Sequence, residues 1–345
     1  MNATAVAVIP RPFLCELLGE AFSPRVLTEL AGEAIRQAAL GVWNDALYAP
    51  LDGFLSRPGK ELRARLVRHA WSLSGASGDP PDELPAIVEL LHAGSLIIDD
   101  IEDEATRRRG GPAVHCLHGL PIALNAGNWL YFLPFTLVAR LPTGTESQLA
   151  IHQAMSRCLL CCHYGQALDL GARMSRIAQE DVPPVVLATT RLKTASLTEL
   201  AATLGAVVAG ADPFRRKRLS RFGHELGIAL QMLDDLGSIT SDRLCHKGHE
   251  DLVGGRPTWP WAWLSQDLDA KSYAALQELA RAVEARDAHP EMLVERMRPN
   301  LDDPGRARVH ERLEQAVSDL ESAFPGAVAL PEIRADISSM ERSYE

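Results

Sequence analysis

The chain has 345 residues, 46% of them apolar and 23% charged, with a formal net charge of −10. That composition suits a globular protein with a large core, and the negative charge argues against nucleic acid as a partner. Basic residues run together only at Arg107–Arg109 and at Arg215-Arg216-Lys217-Arg218.

Apolar residues recur at three- and four-residue spacing over 25–48, 85–104, 121–140, 147–171, 184–209 and 216–242, which predicts helices there. Breaks fall at Ser74–Pro81, Pro142–Thr145, Asp181–Pro184 and Ala211–Pro213. Beyond residue 265 the helical pattern continues with more charge, interrupted at Asp302-Asp303-Pro304-Gly305. No alternation of strands and turns is visible, so the expected fold is all-α. No linker isolates a second domain, so a single domain over 1–345 is expected, its motifs within 50–262 and its C-terminal helices over 266–345. The first residues lack a basic segment followed by a long apolar run, and no apolar segment reaches the roughly 18 residues of a membrane span. The expected location is cytoplasmic. The six cysteines are then expected to be reduced. Cys158-x-x-Cys161-Cys162-His163 invites a zinc reading, but no second Cys/His pair with metal-finger spacing supports it. These residues read better as small apolar members of a buried helix.

The chemistry is concentrated in Glu89–His115. An apolar helix ends in Asp99, Asp100 and Asp103, with Asp99 and Asp103 at i and i+4 on one face. Two carboxylates so placed repel unless a cation sits between them, and Mg²⁺ suits a small set of hard oxygen ligands completed by water and phosphate. Arg107, Arg108 and Arg109 follow, with planar forks matched to phosphate oxygens. Helix 216–242 likewise ends in Asp234-Asp235, suggesting a second metal-binding wall. Elsewhere, Gly59-Lys60-Glu61-Leu62-Arg63 places Lys60 and Arg63 on one helix face after a Pro-Gly entry. Lys193-Thr194 interrupts an apolar helix, where an ammonium needs an anion. Gln231 precedes Asp234 by one turn, His92 shares a face with Asp99, and Lys247 and Arg256 lie in a Gly-rich loop suited to a lid over phosphate.

Taken together, these motifs resemble those of the trans-isoprenyl diphosphate synthases, the all-helical family that includes farnesyl and geranylgeranyl diphosphate synthases. The resemblance covers residues 50–262. It rests on Gly-Lys-x-x-Arg at 59–63, His92, the aspartates at 99–103, Arg108-Arg109-Gly110, Gly165-Gln166-Ala167-Leu168-Asp169, Lys193-Thr194 and Gln231-x-x-Asp234-Asp235. It implies a helical bundle of the isoprenoid synthase type around a central diphosphate and magnesium cavity. Lys60, Arg63, His92 and Arg109 would hold isopentenyl diphosphate. Arg108, Lys193, Thr194, Gln231, Lys247 and Arg256 would face the allylic diphosphate, with Lys193, Arg108 and Gln231 as the catalytic set. Asp99, Asp100 and Asp103 on one wall, and Asp234, Asp235 and Ser238 on the other, would surround three Mg²⁺ ions. A homodimer is also implied.

Several positions depart from the family pattern. Ser238 stands where a third aspartate of the second motif is usual; Ala64 replaces a proline, Asn128 an aspartate and Arg256 a lysine. Asp234, Ser238 and Asp242 approximate the metal motif of class I terpene cyclases, so a cyclase is one alternative. A subunit of a heteromeric synthase is another. Retention of Lys60, Arg63, His92 and Arg109 favours coupling of two substrates, because a cyclase has no use for them. In the family, bulky residues four and five positions before the first aspartate floor the product cavity. Here these are Ser95 and Gly94, which implies a product of about C20 to C25, with Gly94→Phe expected to shorten it. Trp129, Tyr131 and Phe132 are candidates for raising the floor or for ordinary packing.

Overall fold

A computed structural model of the chain describes residues 11–241 and 245–344; Asp242 and the side chain of Lys247 lie outside the described residues. The elements run α1 (Arg11–Ala21), α2 (Pro24–Ala31), α3 (Gln37–Trp43), α4 (Ala49–Leu55), α5 (Leu62–Leu73) and α6 (Glu83–Glu102). A hairpin of two short strands follows, β1 (Arg107–Arg108) and β2 (Gly111–Pro112). Then come α7 (Val114–His118), α8 (Leu120–Val138), α9 (Thr145–Gly171), α10 (Val182–Thr189), α11 (Ser196–Val208), α12 (Pro213–Thr240), α13 (Cys245–Val253) and α14 (Trp259–Asp267). The remaining helices are α15 (Ala270–Glu284), α16 (Pro290–Met297), α17 (Asp302–Ala323) and α18 (Leu330–Arg342). The fold is all-α, as expected, apart from the hairpin.

Three expectations need correction. The helix expected over 25–48 is broken: α2 stops at Gly32, whose φ of 73° is a left-handed cap that its N–H closes onto the Thr28 carbonyl. The loop expected to carry Lys247 is mostly α13, leaving a short loop at 254–258. The helix expected over 184–209 contains a π-helical segment, Thr190–Ala195, between α10 and α11. One extra residue per turn there rotates Lys193 relative to a regular helix, and such bulges frequently sit at functional sites.

Helix α6 packs along α8, α11 along both α5 and α12, and α9 against the π segment. One large cluster of buried apolar residues joins them, from Leu17 to Met340. Glycines set the closest crossings. A β-carbon on Gly94 would stand 2.9 Å from the Gly127 carbonyl oxygen, and one on Gly127 would stand 2.8 Å from Ile98 Cδ1. On Gly165 it would collide with the Lys193 amide nitrogen and stand 2.8 Å from the Leu192 carbonyl carbon. Gly165 thus lets α9 lie directly on the π segment. Gly165→Ala is expected to cost about 1–3 kcal/mol, the usual penalty for overpacking against backbone. Urea unfolding of the variant beside the parent measures it.

Candidate active site

Helix α6 delivers Asp99 within its last turn and Asp103 at its C-cap. An acid at that end opposes the helix dipole, so cations must gather there. Lys193 does so from the π segment, its Nζ 2.9 Å from Asp99 Oδ1 and 2.7 Å from Asp169 Oδ2 on α9. Burial pulls the Lys193 ammonium down, but Asp99 and Asp169 outweigh it and hold the group charged, above the ordinary lysine value. Gln166 Nε2 donates to Asp99 Oδ1 at 3.1 Å and to Glu102 Oε2 at 2.6 Å. Arg256 crosses from the loop after α13, placing Nη2 2.6 Å from Asp103 Oδ1 and donating from Nη1 to the Asp169 carbonyl. Asp99, Asp103, Lys193 and Arg256 therefore meet as the motifs imply, with Gln166 and Asp169 between them.

Asp100 faces the other way. It is fully buried, and its Oδ1 accepts from Arg108 Nε at 2.6 Å, while Oδ2 has no hydrogen-bond partner among the described residues. One residue is about 100° of rotation on a helix, so Asp100 cannot share the face of Asp99 and Asp103. It clamps Arg108, whose Nη2 also lies 3.7 Å from Asp99 Oδ2.

Arg108 and Arg109 ride on the β1–β2 hairpin. Pairing of Arg107 with Pro112 and Arg108 with Gly111 leaves Arg109 and Gly110 as the turn. Both have positive φ, 50° and 76°. This tight two-residue turn needs that conformation, which Gly110 accepts freely and Arg109 adopts under strain. The turn carries the Arg109 guanidinium over the Phe54 ring, 5.3 Å from its centroid, and alongside Gly59. Arg63 and His92 join Arg109 on this side. Burial, followed by the fields of Arg63, Arg109 and Arg108, holds His92 well below its ordinary value, so its imidazole is neutral. Burial also lowers Arg63 and Arg109, while Glu89 opposes the shift in both. Glu89 accepts from the Ala64 amide at 3.2 Å.

Lys60 does not share a helix face with Arg63, because α5 starts only at Leu62, after Glu61 with φ 47°. Its Nζ lies 3.8 Å from the Tyr344 ring centroid and donates to Ser343 Oγ at 3.2 Å. In α12, Asp235 is buried and committed: Oδ1 accepts from Gln231 Nε2 at 2.7 Å and Oδ2 from the Trp259 amide at 2.9 Å. It thereby anchors the N-terminus of α14 by accepting from its first amide. The Ser238 hydroxyl, also buried, donates to the Asp235 carbonyl at 2.7 Å, beneath α13. Neither side chain is presented as a ligand. Asp234 is half-buried on the neighbouring face. Thr194 Oγ1 donates to Gln231 Oε1 at 2.7 Å, tying the π segment to α12.

The chain-length positions differ as well. Gly94 is sealed against α8, so a phenylalanine there would push two helices apart before reaching any channel. Ser95 is half-buried, one turn before Asp99. Trp129 packs on Phe22 at 5.2 Å between centroids, Phe132 is 71% exposed, and Tyr131 turns its ring edge to His163 on α9 at 5.8 Å. Cys158 and Cys162 bring their Sγ atoms to 4.0 Å, while His163 turns to Tyr131.

Glu89 and Asp169 stand inside the motifs that the sequence singles out but are given no role there: Glu89 is one turn before His92, and Asp169 closes Gly165–Asp169. Arg57, whose partners lie 51 and 55 residues away, offers no signal in the sequence.

Among the described residues, no group of three or more Asp, Glu, His or Cys side chains could by itself hold a metal ion. Asp99 and Asp103 nevertheless fit a hard divalent cation that takes a few carboxylate oxygens and completes its shell with water and diphosphate. Their crowding is visible: burial, then the charge of Asp99, pushes Asp103 up to about 6.

The chain matches the family profile described as "Polyprenyl synthetase" over residues 44–297. It is 33% identical over 302 residues to a geranylgeranyl diphosphate synthase of Mycobacterium tuberculosis, covering 86% of this chain and 82% of that one. It is also 33% identical over 221 residues to a short chain isoprenyl diphosphate synthase of Methanothermobacter thermautotrophicus. That match covers 63% of this chain and 66% of the archaeal enzyme, just under two thirds. Among solved structures, a polyprenyl synthase from Caulobacter crescentus, complexed with calcium and isoprenyl diphosphate, superposes with a TM-score of 0.73 at 23% identity, covering 96% of this chain and 94% of that one. The fold is the all-α one of that solved structure. The chain belongs to the polyprenyl synthetase family.

Asp103 sets a pH dependence. Its folded value, about 6, lies above the ordinary 3.8 of an unfolded chain, so ionising it costs the folded state. That state is favoured below about pH 4 and loses the advantage as pH rises through about 6. Without divalent cations, Asp103→Asn is therefore expected to exceed the parent in stability by about 1 kcal/mol near neutral pH, allowing for its partial exposure, and by nothing near pH 4. Thermal unfolding at the two pH values checks both signs.

Proposed function

We propose that this protein is a Mg²⁺-dependent trans-prenyltransferase that joins an allylic diphosphate to isopentenyl diphosphate, head to tail. The observation that carries the reading is the presence of two distinct cationic sites. Arg63, Arg109 and the neutral ring of His92 form one; Lys193, Arg108 and Arg256, interleaved with Asp99 and Asp103, form the other. An enzyme acting on one diphosphate needs only the second.

The residues divide the work accordingly. When bound at Asp99 and Asp103, Mg²⁺ would neutralise the departing diphosphate as a Lewis acid. Lys193 and Arg108, already held by aspartates on that wall, exchange part of those contacts for diphosphate oxygens and stabilise the charge that develops there. Arg63 and Arg109 fix the second diphosphate, with His92 donating one N–H without adding charge. The double bond of isopentenyl diphosphate attacks the allylic carbon. Loss of a proton to the released diphosphate then restores an allylic product. Gln231 and Thr194, bonded to each other, hold the π segment against α12 so that Lys193 stays aimed. Apolar side chains around the site would have to keep water from the cation.

The alternative of a class I cyclase loses its specific support, because Ser238 spends its hydroxyl within α12. The relatives named geranylgeranyl diphosphate synthases support a C20 product, with C25 the upper end of the reading. The continuous core supports reading 1–345 as one isoprenoid synthase-like domain. A homodimer is supported by apolar stripes left exposed on adjacent helices: Leu120, Leu124 and Phe132 on α8, and Leu160, Tyr164 and Leu168 on α9. No helix among the described residues is long and apolar enough to cross a membrane; action in the cytoplasm is part of the reading.

Incubation of the purified chain and Mg²⁺ with farnesyl or geranyl diphosphate is expected to give elongated diphosphates only when isopentenyl diphosphate is added. Hydrocarbons or alcohols formed without it would overturn the reading. Ser95→Phe is expected to shorten the product by at least one five-carbon unit, read by chromatography of the dephosphorylated alcohols; an unchanged distribution removes Ser95 from the channel.

A further inference from the structure

Arg57 precedes Gly59-Lys60 by two residues and takes no part in the chemistry proposed above. Its placement is specific. Nη1 donates to the Arg108 carbonyl at 3.0 Å and to the Pro112 carbonyl at 2.8 Å, one oxygen from each strand of the hairpin. The guanidinium lies flat on Gly111, where a β-carbon would stand 3.0 Å from Cζ. It also lies 5.6 Å from the centroid of the Phe54 ring, the same ring that carries Arg109 at 5.3 Å.

A hairpin of two residues per strand has few bonds of its own. Antiparallel pairing joins Arg107 to Pro112 and Arg108 to Gly111, and the Ala113 amide closes on the Thr106 carbonyl at 2.9 Å. So short a hairpin is not stable alone. At its turn Arg109 must also hold a positive φ, a strained conformation that persists only when the surroundings impose it. Arg108 has an independent hold through Asp100. Among the described residues no carboxylate clamps Arg109 in this way; Phe54 and the turn set its direction.

We infer that Arg57 is a positioning residue: it latches the β1–β2 hairpin across both strands and so aims Arg109 at the isopentenyl diphosphate site. It acts through Arg109 rather than on substrate, since its Nη1 is committed to two carbonyls. The inference rests on the assignment of Arg109 to that site. A lysine at 57 offers no planar fork and is not expected to replace it.

The test compares Arg57→Met and Arg57→Lys with the parent. Both variants are expected to raise KM for isopentenyl diphosphate about tenfold, as for loss of one well-aimed charged hydrogen bond. KM for the allylic diphosphate should change less than about threefold, because Arg108 keeps its clamp. Arg57→Met in an Arg109→Ala background should add little further loss, since the two act through one contact. Equal rises in both KM values, no rise in either, or full additivity in the double variant would overturn the inference. Amide hydrogen exchange at residues 106–113 gives a readout that needs no turnover: faster exchange in Arg57→Met is expected, and unchanged exchange sinks the latch. If the parent itself neither binds nor consumes isopentenyl diphosphate, the proposed function fails, while the exchange measurement still judges the latch.

Discussion

The Lys193 ammonium, shared between Asp99 and Asp169, is the interaction on which the site depends. It joins the end of α6 to the end of α9 and is delivered by the π segment that connects α10 to α11. Without it, three carboxylates would approach each other in a poorly solvated corner, and like charges so placed repel strongly. Arg256 and Arg108 extend the same arrangement to Asp103 and Asp100. The bundle thus stores its negative charge as ion pairs, which on the proposed function an arriving diphosphate and its cation rearrange. Close packing at Gly165 and the Thr194–Gln231 bond keep the lysine from relaxing elsewhere.

The two cationic sites are tuned differently. Around Asp99 the arginines and lysine are paired with aspartates almost one to one, so binding there exchanges existing partners. Around His92 the balance is positive: Arg63 and Arg109 face the single carboxylate Glu89, which burial pushes upward. An anion entering that side meets uncompensated charge, and a neutral imidazole adds a donor without worsening the repulsion. On the proposed function, selectivity between the two diphosphates follows from this difference in counter-charge alone, before any hydrocarbon tail is considered.

Much of this was legible in the chain. Helical periodicity placed α6, α8, α9 and α12 within a few residues of their observed ends, and i, i+4 spacing put Asp99 and Asp103 together. Adjacent residues were the weak point. Asp100 and Asp235 read as members of metal motifs because they sit beside true candidates, yet one step along a helix turned each into a buried clamp, for Arg108 and for the start of α14. Backbone irregularity was equally opaque. Nothing in Thr190–Ala195 announces a π segment, and the left-handed Glu61 removes Lys60 from the helix that its spacing suggested. Long-range contacts such as those of Arg57, 51 and 55 residues from their partners, have no local signature.

The π segment also constrains how this chain can change. Deleting one residue between 190 and 195 would let the backbone relax into a regular helix, the locally cheaper state. The same deletion would draw in the wide turn itself and move the side chains within it, the ammonium among them, while the flanking helices keep their register. Loss of the irregularity and loss of the lysine are thus a single event. The two can be inherited or discarded only together, which makes this awkward turn one of the least replaceable lengths of the polypeptide.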